Sequence, residues 1–91
     1  MPYIRKQNRD QLRASESPLQ ITSGELNYLI TNLCNRFIRG MEIATGRPSY
    51  WTINMVIGAL ECAKLELYRR VAAPYEDQKC AENGDVYGSN Q

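Results

Sequence analysis

The chain is expected to be all-α: a helical hairpin of two main helices, with a short N-terminal arm and a short C-terminal helix after Pro74, assembling as a homo-oligomer. Three observations lead there. Apolar residues recur at three- and four-residue spacing in two long segments, while no segment alternates convincingly with period two. A capping residue, Thr22 or Ser49, stands before each long segment. Finally, 91 residues make one small domain, and a chain of this size buries only about 60–65% of the surface it exposes when unfolded. Without disulfides or metal, oligomerisation is the remaining common staple.

The elements follow in order. Residues 1–21 read as a basic N-terminal arm, with Arg5, Lys6, Arg9 and Arg13 set against Asp10 and Glu16 over residues 1–22, a local +2. Thr22-Ser23-Gly24-Glu25 fits a capping box: the Thr22 hydroxyl serves a free amide near Glu25, whose carboxylate reaches back. Ile21 and Leu26 stand at the positions of a hydrophobic staple. Leu26, Leu29, Ile30, Leu33, Phe37 and Met41 then form one helical stripe. Gly40 is the expected stop, with Arg36 and Arg39 favouring the negative end of the helix.

Ser49 caps the second long helix, with Ile53, Val56, Ile57, Leu60, Ala63, Leu67 and Val71 as its main stripe. Glu66 and Arg70 are spaced for an i,i+4 ion pair. Pro74 lacks an amide donor and crowds the preceding turn, so the helix is expected to end or kink there. Pro74 also suits the first turn of a new helix, with Glu76 and Asp77 at its positive end and Asn83-Gly84 closing it. Residues 22–83 thus read as a single helical domain and 84–91 as a flexible C-terminal tail. Residues 74–91 carry Glu76, Asp77, Glu82 and Asp85 against Lys79, a local −3. The charged ends are either solvated surface or grips for an anion or a neighbouring subunit.

Composition excludes several functions. No histidine is present, so Ser-His-Asp and Cys-His catalysis and imidazole zinc sites are impossible. Cys34, Cys62 and Cys80 are odd in number and without a CxxC pair, which points to reduced thiols in an intracellular protein. No apolar run reaches a membrane span, and the N-terminus lacks a signal-peptide core. A net charge of +1 gives no overall bias toward nucleic acid. No cofactor is implied, and no acid/base pair has the spacing of an enzyme.

Two features of the second helix point to binding. Its second flank carries Met55, Gly58, Ala59 and Cys62, small or apolar residues that let another backbone approach. A glycine inside a helix costs about 1 kcal/mol relative to alanine, which argues for a packing reason at Gly58. The flank is either buried within a monomer or, as preferred here, against another subunit. Lys64 falls in the main apolar stripe, where three readings are open: snorkelling, an ion pair with Glu25 or Glu61, or a ligand contact. Around it, Tyr68, Arg69, Arg70 and Tyr75 supply guanidinium forks and aromatic faces suited to phosphates and stacked bases, or else form a solvated basic turn.

The start Met1-Pro2-Tyr3-Ile4, the run Gly24-Glu25-Leu26-Asn27-Tyr28-Leu29-Ile30-Thr31 and the segment Asn54–Val71 carry a resemblance. Pro74-Tyr75-Glu76, Lys79 and Asn83-Gly84-Asp85-Val86-Tyr87 extend it over nearly the whole chain. Together they resemble a small family of uncharacterised proteins carried by tailed phages and prophages, which implies the host cytoplasm but no particular activity. In size, helical content and inferred assembly the chain is also similar to phage anti-CBASS sponges, which sequester cyclic nucleotide signals. The leading expectation is a non-enzymatic counter-defence protein that captures a small nucleotide-type signal at subunit interfaces. Lys64, Tyr68, Arg69, Arg70 and Tyr75 would be its ligand-binding residues. The alternative is a protein–protein interaction factor that inhibits or adapts a host or phage protein through its charged termini.

Overall fold

Side chains that occupy free backbone groups set the helix boundaries. In the computed structural model, which describes residues 2–13 and 17–87, Thr22 accepts from the Glu25 amide at 3.1 Å. Glu25 returns its carboxylate to the Thr22 amide at 2.9 Å, completing the expected capping box. Ser49 likewise accepts from the Trp51 amide at 3.1 Å. The helices so started are α2 (Ser23–Thr45) and α3 (Tyr50–Leu67). A π-helical turn, Tyr68–Ala72, joins α3 to α4 (Ala73–Asn83), and a short α1 (Lys6–Leu12) lies within the N-terminal arm. The fold is all-α, with no strand among the described residues.

Two helix ends depart from expectation. Gly40 does not stop α2, which runs five residues further to a cap at Gly46. Gly46 takes the left-handed conformation (φ +84°) and bonds back to the Glu42 carbonyl at 2.7 Å. A single interior glycine costs a helix about 1 kcal/mol, which the following turn and this cap outweigh. Arg36 and Arg39 consequently lie away from the last turn. At the other end, Asn83-Gly84 closes α4 as expected, with Gly84 at φ +96°.

Pro74 stands in the first turn of α4, as expected, but the helical backbone does not end before it. The Ala73 amide reaches back five residues to the Tyr68 carbonyl, so one wide turn absorbs the proline at the second position of α4. In a regular α-helix the Pro74 ring would press on the Arg70 carbonyl. Widening the turn to π spacing moves that carbonyl aside and lets the helix run through.

The apolar stripes do not make a core inside one chain. Helices α2 and α3 form an antiparallel hairpin around the Gly46–Ser49 turn, yet no hydrophobic residue is buried among those described. Thr52, at 3% exposure, is the one buried residue among those described. The radius of gyration is 18.2 Å, against about 12 Å for a compact domain of this length. The accessible surface is 8398 Å², and a compact monomer of 10.4 kDa exposes about 5,400 Å². Among the exposed residues are many Leu, Ile, Val and aromatic side chains of the helices.

Candidate functional site

Two regions carry the chemistry singled out in the sequence. The first is the groove of the hairpin, about 300 Å³ in volume. From α2 it is lined by Leu33, Cys34 and Phe37. From α3 it is lined by Met55, Val56, Ala59, Leu60 and Ala63. Not one of these side chains is charged, so the groove offers apolar contact and no partner for a phosphate.

The expected division of α3 into a core stripe and an interface flank is redrawn by this groove. Val56, Leu60 and Ala63 of the stripe line it together with Met55 and Ala59 of the flank. Ile53, Ile57, Leu67 and Val71 of the stripe stay exposed. Gly58 and Cys62 are exposed as well. At 100° per residue they fall on the side of the groove nearer Met55. A Cβ placed on Gly58 meets nothing within 4 Å, so nothing in its own chain requires that glycine.

The second region is the join of α3, the π turn and α4, where Lys64, Tyr68, Arg69, Arg70 and Tyr75 lie. Most of their polar groups are already engaged. Lys64 pairs with Glu61 at 3.1 Å, the ion-pair reading of that residue. Arg69 pairs with Glu66 at 2.8 Å, so Glu66 takes Arg69 rather than the expected Arg70. The Tyr68 hydroxyl donates to Glu76 at 2.7 Å. Lys79 sits over the Tyr75 ring, 5.6 Å from its centre, a cation–π arrangement. Arg70 alone of the five has no hydrogen bond, ion pair or ring contact among the described residues.

A residue outside that expected set completes the cluster. The Tyr3 hydroxyl donates to the Glu66 carboxylate, and Arg69 Nη2 lies 3.5 Å from the same hydroxyl. The Tyr3 hydrogen bond first, and the Arg69 guanidinium next among the favourable contacts, hold the half-buried Glu66 carboxyl below its ordinary range. Glu66 in turn raises Arg69. The hydrogen bond to Glu76 and that carboxylate's charge push the Tyr68 phenol up. The sequence held no signal for the Tyr3 contact, because local spacing does not report a pairing across 63 residues.

The π turn keeps the backbone bonded up to Pro74, so this join offers no row of free amides to an anion. In the arm, Lys6 and Arg13 both approach Asp10, at 3.1 and 3.8 Å. Glu16 lies outside the described residues, as do positions 88–91 of the tail. Among the described residues no helix is long and apolar enough to cross a membrane. No three His, Cys, Asp or Glu side chains among them gather as a metal-ligand set. No curated protein and no solved structure matches the chain. A family model does match, over residues 1–86, and the chain accordingly belongs to DUF6899, a domain of unknown function.

Proposed function

We propose that the chain is a non-enzymatic interaction protein that works as a homo-oligomer and engages a host or phage protein through its charged ends. The observation that carries the reading is an apolar surface with no interior. A folded domain draws its stability mainly from apolar burial, and here no hydrophobic side chain is buried in the described part of the chain. The excess surface, 8398 Å² less the compact expectation, is about 3,000 Å². Obligate subunit contacts hide about 1,000–2,500 Å² per partner. Assembly through the Met55, Gly58, Ala59 and Cys62 side of α3 would use none of the charged residues of the basic arm or the acidic tail. The likeness of the sequence to proteins of tailed phages supports a target in the infected cell.

Nucleotide capture is the second reading, and Arg70 favours it. Its guanidinium has no ion pair within 4 Å among the described residues, and Tyr68 and Tyr75, close by in sequence, are exposed. Against it, a phosphate must first displace Glu61 from Lys64 and Glu66 from Arg69. Sedimentation and thermal melting across a concentration series test the first reading. Assembly at micromolar concentration, with a melting temperature that rises with concentration, is expected; a folded monomer sinks it. Calorimetry with cyclic di- and trinucleotides and cyclic ADP-ribose isomers tests the second. Heat that is lost in Arg70→Ala with the oligomer intact supports capture, and no heat leaves the protein-partner reading.

A further inference from the structure

Resting on the reading that the chain works as a homo-oligomer, we propose that the α2–α3 groove is the seat of a second copy of the same hairpin. The core of the protein is then intermolecular, made of two hairpins closing on each other as four helices. A two-helix hairpin has one inner side and nothing to cover it, whereas four-helix packing closes that side with a second pair of helices.

Three observations select a second copy as the occupant. First, no hydrophobic residue is buried among those described, so something must cover the groove whenever the chain is folded. A second copy is always present at that moment, and a transient partner is not. Second, the groove lining mixes sizes. It holds large Leu33, Phe37 and Leu60 together with small Ala59 and Ala63, so one patch has side chains to serve as knobs and small residues to receive them. A two-fold contact, which places the same patch on both partners, requires that combination. Third, the groove lining is without charge and the chain is close to neutral at +1, so two copies meet without strong repulsion. The accessible area in excess of a compact monomer is as large as an obligate contact hides.

The test uses the full chain in three forms: wild type, Ala59→Arg in the groove and Ile43→Arg as a control. Ile43 is 85% exposed near the hairpin turn and does not line the groove. Wild type and Ile43→Arg are expected to sediment as the same oligomer, and Ala59→Arg as a monomer or an unfolded chain. Because unfolding alone is ambiguous, alkylation of Cys34 in the wild type gives a second measure. Cys34 lines the groove, and its reaction should slow by an order of magnitude as concentration rises through the assembly range. An oligomer that survives Ala59→Arg, or in which Cys34 reacts as in the dilute chain, overturns the seat and leaves the interaction reading standing. So does native mass spectrometry that finds a small molecule or a different protein held by single copies. A folded wild-type monomer removes both.

Discussion

The Tyr3 hydroxyl donates to the Glu66 carboxylate and ties the N-terminal arm to the last turn of α3. Arg69 braces the same carboxylate at 2.8 Å. Each of the three is on or near the surface, and the contact is long in sequence, so its effect is to place the arm rather than to stabilise the hairpin. Tyr3→Phe removes the donor and keeps the ring. Faster limited proteolysis in the arm, with unchanged helix content by circular dichroism, is the expected result.

The same contact makes the arm sensitive to acid. Tyr3 and Arg69 lower the Glu66 pKa below its ordinary value, so the folded arrangement binds that proton less readily than the unfolded chain does. Its contribution is therefore present above the ordinary carboxylate range and is lost as pH falls through the lowered value. Amide exchange over residues 2–13 should rise on acidification in the wild type. In Glu66→Gln it should be high at neutral pH and flat. A wild-type profile equally flat would place the arm by other contacts.

Much of this fold is written in local residues, which is why it was legible. Thr22 with Glu25, Ser49 and Asn83-Gly84 act within four residues of one another, and their hydrogen bonds form where the spacing says. The end of α2 was misread because Gly40 and Gly46 look alike in sequence, although only Gly46 takes the left-handed turn. The short helix with Pro74 in its first turn was legible, and the π turn that joins it to α3 was not, because residue spacing does not report hydrogen bonds that reach back five residues. At the candidate ligand cluster, residue type was legible and occupancy was not. Lys64, Tyr68 and Arg69 suit a phosphate-bearing ligand by chemistry, and Glu61, Glu76 and Glu66 already hold them.

The capping box at the start of α2 should be measurable by itself. Thr22→Ala leaves the Glu25 amide without its side-chain acceptor, while the backbone amide of residue 22 still donates to the Glu25 carboxylate. A loss of about 1 kcal/mol is expected. It is read as a lower midpoint in chemical denaturation at matched protein concentration. Thr22→Ser should recover most of it, because the serine hydroxyl accepts in the same place.

Pro74→Ala addresses the π turn. Alanine supplies the missing amide and removes the ring that crowds the Arg70 carbonyl, so the α3–α4 segment is free to become regular α-helix. The gain should stay below the roughly 3 kcal/mol that separates alanine from proline in a helix interior, because the wide turn already relieves part of the strain. A regular helix also rotates α4 relative to α3. The Tyr68–Glu76 hydrogen bond, now 2.7 Å across the turn, should then open and lower the Tyr68 phenol toward its ordinary value, since that bond is the largest cause of its rise. Ultraviolet titration of Pro74→Ala, with Tyr68→Phe to assign the signal, checks this.

Gly58 separates a subunit contact from a solvent-facing helix. At neither Gly40 nor Gly58 would a Cβ meet an atom within 4 Å beyond the backbone of its own helical turns, among the described residues. Both lie inside long helices. Considered within one chain, alanine at either position should stabilise by about 1 kcal/mol. The proposed assembly opposes that gain at Gly58, which stands beside Met55 and Ala59 on the side of α3 that meets another copy, where a methyl holds two backbones apart. Gly58→Ala is therefore expected to lower the melting temperature of the oligomer. The oligomer of Gly58→Ala should also dissociate at a higher concentration than wild type. Equal gains at both positions would take Gly58 out of the interface.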